Sequence, residues 1–200
     1  MSLLVNRRIK GDVQLGVWKI EETTGELLQM LNLTAMEEKI FNQLKTDQRR
    51  KQWLSYRITI KRLLNLDKIL DINYDRYGKP MILNHYLRIS VTHSGDFSAA
   101  ILHKKKSTGI DIEKISPRIH SIKHKFLSDR ELSHIHQEND TELLTAYWAA
   151  KEALYKLQKF GQISLKDHIY IYPFDIKSDT IICGRISYRG REKKLSLSRE

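Results

Sequence analysis

Thr108-Gly109-Ile110-Asp111-Ile112-Glu113-Lys114 reads as a buried strand carrying two carboxylates that leave it on the same side. Asp111 and Glu113 are two positions apart, and side chains alternate across a strand with a period of two. Ile110 and Ile112 then point the other way, toward a core. Two carboxylates side by side each resist ionising beside the other. A divalent cation relieves that repulsion, and hard cations such as Mg2+ take oxygen ligands, commonly completed by phosphate oxygens and water.

The second stretch that fits this chemistry is Trp148-Ala149-Ala150-Lys151-Glu152-Ala153-Leu154-Tyr155-Lys156. Leu143, Tyr147, Ala150, Leu154 and Leu157 recur at steps of four and three, the seam of a helix against a core. On the other side, steps of four place Trp148, Glu152 and Lys156 in one row. Asn139 followed by Glu142 suggests a capped start, and Gly161 a C-cap after about Lys159. Phe126-Leu127-Ser128-Asp129-Arg130-Glu131 opens an earlier helix, with Ser128 and Glu131 as its capping box.

Toward the N-terminus, Val13 to Ile20 alternates well enough for a first strand, and Glu21 to Leu31 follows as a helix. Thr34 and Glu37 form a capping box for a helix through Leu44. Asp47 to Leu64 reads as a long basic helix with Trp53, Tyr56, Ile60, Leu63 and Leu64 on its seam. Its Arg49, Arg50, Lys51, Arg57, Lys61 and Arg62 would suit nucleic acid on charge alone. Asp75 to Pro80 is a turn. Leu87–Thr92 and Phe97–His103 are strands around the turn His93-Ser94-Gly95-Asp96. After Ile169, short alternating segments at Ile169–Tyr172, Thr180–Cys183, Arg185–Tyr188 and Lys193–Leu197 read as an antiparallel sheet. Trp53 and Lys61 precede Trp148 and Lys156 by 95 residues. That offset suggests two similar halves meeting near residue 105 with a site between them, although the apolar seams do not superimpose on it.

Composition bounds the rest. The chain has 200 residues, 40% of them hydrophobic, with three prolines and nine glycines, so it can bury a real core without long linkers. No run of about eighteen apolar residues exists to span a membrane. The first eight residues lack a signal-peptide core. Cys183 is the single cysteine, which excludes an internal disulfide and a cysteine-based zinc site. A cytoplasmic location follows as the default. The formal charge of +11 attracts anions: polyphosphate ligands, nucleic acid or an acidic protein.

Taken in order, Gly109-Ile110-Asp111-Ile112-Glu113, Phe126-Leu127-Ser128-Asp129-Arg130-Glu131 and Trp148 to Lys156 resemble the signature of the 4′-phosphopantetheinyl transferases. Gly78-Lys79-Pro80 and Ser90-Val91-Thr92-His93-Ser94-Gly95 resemble two further motifs of the longer, surfactin-synthetase-activating type. The resemblance implies an α+β fold of two similar α/β halves related by pseudo-twofold symmetry, each an antiparallel sheet packed with helices, in a monomer. It divides the chain at 1–105, the half with nucleotide-side contacts, and 106–200, the half with metal and catalytic motifs. It implies transfer of the phosphopantetheine arm of coenzyme A to a serine of an apo acyl or peptidyl carrier protein of fatty-acid, polyketide or peptide biosynthesis. Adenosine 3′,5′-bisphosphate would be the other product. Asp111, Glu113 and Glu152 would hold Mg2+, with Glu152 also the base. Lys156 would neutralise phosphate charge, Lys79 and Pro80 would hold the adenine nucleotide, Ser90 and His93 would contact a phosphate, and Arg57 would contact the 3′-phosphate. Val91-Thr92 stands where Ile-Ser or similar is usual, and Thr keeps the hydroxyl. The chain ends soon after Leu197, so a short or absent last strand is expected. A Mg2+-dependent nuclease or other phosphotransferase, and a basic nucleic-acid-binding protein, are the alternatives.

Overall fold

The computed structural model describes residues 2–9, 12–66, 71–76, 78–82, 87–135, 141–158 and 163–199. Tyr77, Asn139, Lys159 and Gly161, which the sequence reading used for a turn, a helix start, a helix end and a C-cap, lie outside the described residues. The chain divides into two compact units, Met1–Ile112 and Glu113–Glu200. Both mix helices with an antiparallel sheet, so the fold is α+β as expected.

The first unit runs β1 (Leu3–Ile9), β2 (Val13–Lys19), α1 (Thr24–Gln29), α2 (Ala35–Asn42), α3 (Asp47–Leu63), β3 (Ile72–Tyr74), β4 (Pro80–Ile82), β5 (Arg88–Ser94) and β6 (Phe97–His103). Its sheet has the order β1-β2-β6-β5-β4-β3. β1 escaped the sequence reading because Asn6, Arg7 and Arg8 break the apolar alternation, which an outer strand facing solvent tolerates. β5 and β6 pair from Arg88↔His103 to Ser94↔Phe97 around a two-residue turn. Gly95 takes φ 53° there, the conformation tight hairpins demand.

Helix α3 lies on this sheet with the expected seam: Trp53, Tyr56, Ile60 and Leu63 are buried in the core with Trp18, Leu27, Ile89 and Leu102. The approach is close at Gly16 of β2. A Cβ there would stand 2.5 Å from Thr59 Cγ2. The Ser55 hydroxyl donates to Ser98 Oγ at 2.8 Å, pinning the helix to β6. Every residue of α3 from Gln52 to Ile60 is buried. The basic residues that made this helix suit nucleic acid on charge alone do not all reach solvent: Arg57 is inside, and the exposed arginines, Arg49 and Arg62, sit near its two ends.

The second unit runs α4 (Ile119–Phe126), α5 (Asp129–Leu132), α6 (Thr141–Leu157), α7 (Leu165–His168), β7 (Ile169–Ile171), β8 (Ile181–Tyr188) and β9 (Arg191–Ser198). Its sheet has the order β7-β8-β9. The two segments expected at Thr180–Cys183 and Arg185–Tyr188 are one strand, β8. The last strand, expected short or absent, is eight residues long and pairs with β8 from Ile181↔Ser198 to Tyr188↔Arg191. Tyr147, Ala150 and Leu154 of α6 enter the core with Phe126, Ile169, Ile171 and Ile182, and Leu143 and Leu157 pack against it. Gly184 lets α6 approach β8, since a Cβ there would meet Leu154 Cδ1 at 2.8 Å and Ile171 Cδ1 at 2.9 Å.

An internal repeat is present, and its offset is 94 residues, not 95. The bounds of α3, Asp47 and Leu63, map onto those of α6, Thr141 and Leu157. The capping boxes Thr34/Glu37 and Ser128/Glu131 obey the same offset, as do the two-residue hairpin turns after Ser94 and Tyr188. On this offset the seams superimpose: Trp53, Tyr56, Ile60 and Leu63 correspond to Tyr147, Ala150, Leu154 and Leu157.

Candidate active site

The stretch Thr108–Lys114 belongs to no strand; side chains of β5 fasten part of it. Ser90 and Thr92 leave the same face of β5, two residues apart. The Ile110 N–H donates to Ser90 Oγ at 3.3 Å and the Ile112 N–H to Thr92 Oγ1 at 3.3 Å. Hydroxyls spaced with the strand period thus replace a backbone ladder. Ile110 and Ile112 are half-buried and belong to neither core, which corrects the expectation that they point into one. Thr92 Oγ1 also donates to Asp111 Oδ1 at 2.8 Å and so aims that carboxylate. Thr92 was read only as a substitution that kept its hydroxyl. The signal for its role was the Ser90/Thr92 spacing beside Ile110/Ile112.

Of the other candidates in the first unit, Lys79 and Pro80 leave a turn organised by Asp75. Asp75 Oδ1 accepts the Lys79 N–H at 2.9 Å, and Gly78 takes φ 78°. His93 is half-buried at the end of β5. Being three positions from Ser90, it leaves the opposite face of the strand. The strand does not bring the two expected phosphate contacts together. Ser90 itself is buried, holding Ile110.

Arg57 is 1% exposed. Its Nε donates to Glu37 Oε1 at 3.2 Å, its Nη1 donates to the Tyr56 hydroxyl, and its guanidinium carbon lies 3.3 Å from the Trp53 ring centroid. Tyr56, Tyr74 and Glu37 hold it charged against the opposing effect of burial. This geometry lends no support to the expected 3′-phosphate contact.

In the second unit Glu113 is held by helix α6: Trp148 Nε1 donates to Glu113 Oε1 at 3.0 Å. The Trp148 ring packs edge-on against Phe126, with centroids 5.0 Å apart. Trp148, Glu152 and Lys156 share one row of α6, all half-buried rather than in the core. Lys151, between them, points inward and is 0% exposed. Its Nζ donates into a cage of Glu131 Oε2 at 2.7 Å and the carbonyls of Phe126 at 2.7 Å, Ile169 at 2.7 Å and Leu165 at 3.0 Å. Glu131 also accepts the Ser128 N–H and hydroxyl, and on its other oxygen the Ile171 N–H. Burial pulls the Lys151 ammonium below its ordinary value while Glu131 opposes that. Burial also pushes the Tyr147 phenol up, with the Glu131 charge adding to it. Sequence reading passed over Lys151 and read Glu131 only as a capping-box residue. A lysine on the apolar side of a helix, with a box glutamate upstream, was the available signal.

A hard divalent cation suits the donor chemistry of Asp111, Glu113 and Glu152, three carboxylates without nitrogen or sulfur. Among the described residues, no three of His, Cys, Asp and Glu cluster closely enough to hold a metal ion. No helix of the described residues is long and apolar enough to cross a membrane.

The family model of the 4′-phosphopantetheinyl transferase superfamily matches residues 107–198. The 4′-phosphopantetheinyl transferase AcpT of Escherichia coli (strain K12) is 29% identical over 114 residues, 54% of this chain and 57% of that protein. The protein of the same name from Salmonella typhimurium is 32% identical over 114 residues, 54% of this chain and 58% of that one. The match thus spans little more than half the length of these relatives. The resemblance to the 4′-phosphopantetheinyl transferase superfamily is therefore shown for the part of the chain, residues 107–198, that carries the Gly109–Glu113 and Trp148–Lys156 motifs.

Proposed function

We propose that this chain transfers the 4′-phosphopantetheine arm of coenzyme A to a serine hydroxyl of an apo acyl or peptidyl carrier protein. The observation that carries the proposal is the Trp148–Glu113 hydrogen bond, which ties the acidic motif to the helix row bearing Glu152 and Lys156. The superfamily match over the same residues supports it. In the reaction the serine oxygen bonds to the β-phosphorus of coenzyme A and the pyrophosphate bond breaks. Adenosine 3′,5′-bisphosphate leaves, and the serine proton passes to Glu152. A positioned carboxylate base contributes roughly a hundredfold to ten-thousandfold.

Asp111, Glu113 and Glu152 would hold Mg2+, which when bound supplies charge neutralisation at the pyrophosphate. Thr92 and Trp148 aim two of these carboxylates. Lys156 stabilises the negative charge that grows on the leaving phosphate. Lys79 and Pro80 hold the adenine nucleotide and His93 serves the phosphate side, while Ser90 acts through its hold on Ile110. Arg57, in our reading, acts through the fold and not on the 3′-phosphate. Residues 1–105 take the nucleotide-side role and residues 106–200 the metal and catalytic role, in a monomeric cytoplasmic enzyme of the surfactin-synthetase-activating type.

The charge of +11 suits an acidic carrier, because opposite potentials speed encounter. Mass spectrometry of an apo carrier protein after incubation with coenzyme A and Mg2+ tests the whole reading. A gain of one phosphopantetheine mass is expected. No gain with any of a fatty-acid, polyketide or peptide-synthetase carrier, each first shown to be loaded by another transferase, overturns it.

A further inference from the structure

The ion pair inside the second unit has a counterpart inside the first. Glu37 and Arg57 stand 94 residues before Glu131 and Lys151, on equivalent helices. In both units the acid is the last member of a capping box, it is buried, and it holds a cation that projects inward from the long helix. A buried pair of this kind is often replaceable by apolar residues without loss of stability. Its recurrence is therefore better explained by what it fixes than by what it stabilises.

We infer that the Glu131–Lys151 clasp is a positioning device that sets the rotation of α6 and thereby places Glu152; this rests on the transferase reading given above. Lys151 immediately precedes Glu152, and its cage draws on the end of α4, on α5, on α7 and on β7. A rotation of α6 by about 20° would carry a side-chain tip about 6 Å from the helix axis through roughly 2 Å. A misplacement of about 1 Å can cost about a hundredfold in rate. The same rotation would disturb Trp148, one turn before Glu152, whose indole is bonded to Glu113 and packed on Phe126. In the first unit the residue after the clasp is Ile58, which is buried, so only the second clasp adjoins an acid.

The test compares Glu131→Gln with Glu37→Gln in the full chain. Both changes keep the shape and the capping-box pattern and remove one charge. Glu131→Gln should lower kcat in carrier loading by tenfold or more while the KM for coenzyme A stays within about twofold. It should also shift the Trp148 indole N–H resonance in the nitrogen-15 spectrum, leaving those of Trp18 and Trp53 in place. Glu37→Gln should leave kcat within about twofold and the Trp148 resonance unmoved, whatever it does to the melting temperature. Adding Lys151→Met to Glu131→Gln removes the uncompensated charge; it should recover melting temperature without recovering kcat. A Glu131→Gln protein with an unmoved Trp148 resonance overturns the clasp, as does a double variant that regains both stability and turnover. If the wild-type chain loads no carrier, the transferase reading fails, and the indole resonance still decides whether the clasp sets the rotation of α6.

Discussion

Replacing Thr92 by valine keeps the shape of the side chain and removes one hydroxyl. That hydroxyl donates to Asp111 Oδ1 at 2.8 Å and accepts the Ile112 N–H at 3.3 Å. A hydrogen bond to a charged group contributes about 1.5–3 kcal/mol, and an ordinary one about 0.5–1.5 kcal/mol. Asp111 and Ile112 are only half-buried, so water recovers part of the loss. About 2 kcal/mol of destabilisation is expected, a fall of several degrees in melting temperature. The functional effect is sharper. Removing a group that orients a metal ligand typically costs about 10–100-fold in metal affinity. The Mg2+ needed for half-maximal carrier loading should rise by that factor, with a smaller loss of rate at saturating Mg2+. Thr92→Ser keeps the hydroxyl and should behave like the wild type in both respects. Carrier-loading rates titrated with Mg2+, alongside thermal melts, read out both effects. A Thr92→Val protein with an unchanged Mg2+ requirement would refute the claim that this hydroxyl aims Asp111 at a metal.

Glu152→Gln keeps size and an oxygen but loses charge and basicity, so turnover should fall by about a hundredfold or more even at saturating Mg2+ and coenzyme A; near-normal turnover there would remove Glu152 as the base. Leu154→Ala should cost about 2–5 kcal/mol by urea unfolding, since Leu154 is 1% exposed. Gly184→Ala should cost about 1–3 kcal/mol by overpacking, because the new Cβ meets Leu154 Cδ1 at 2.8 Å. The Leu154→Ala, Gly184→Ala double variant should cost less than the sum, and strict additivity would contradict the packing described. Burial opposes ionisation of Glu22, but hydrogen bonds from Ser2, Trp18 and backbone N–H groups outweigh it and hold its carboxyl below the ordinary value of 4.5. A carboxyl lowered in the folded state contributes stability above its unfolded pKa that is lost as pH falls through its folded one. Glu22→Gln should therefore be less stable than wild type at pH 7, with the gap closing below about pH 4; urea melts at both values check this.

What the sequence carried well was periodic. The seam of α6, the seam of α3, the two capping boxes and the hairpin after Ser94 all follow from spacing, and spacing survives folding because it fixes which side chains share a face. What it carried poorly depended on partners distant in sequence. Asp111 and Glu113 read as strand residues because acid and isoleucine alternate in sequence, yet the chain there forms no strand and hangs on hydroxyls of β5. Nothing local to residues 108–114 distinguishes a backbone ladder from side-chain acceptors. Arg57 read as a surface charge because arginine on a helix is mostly exposed. Its burial depends on Glu37, twenty residues away and on another helix. Lys151 was overlooked for the same reason, its partner Glu131 being again twenty residues upstream.

The repeat also bears on why one helix suits chemistry and its counterpart does not. At an offset of 94, the row Trp148, Glu152 and Lys156 of α6 corresponds to Leu54, Ile58 and Arg62 of α3. Leu54 and Ile58 are buried, so the face of α3 that would match the acidic row is filled with core. Glu152 and Lys156 are half-buried and outside the core of their unit, as groups must be if they are to meet a substrate. Burying an acid where Ile58 sits, with no partner, would be strongly unfavourable. The clasp is common to both helices because rotation must be fixed in either packing environment. The proposed chemistry falls on α6, whose Glu152 and Lys156 are half-buried where the matching Ile58 of α3 is core. Within the first unit, Thr92 and Ser90 fasten residues 110–112, the stretch that ends just before Glu113.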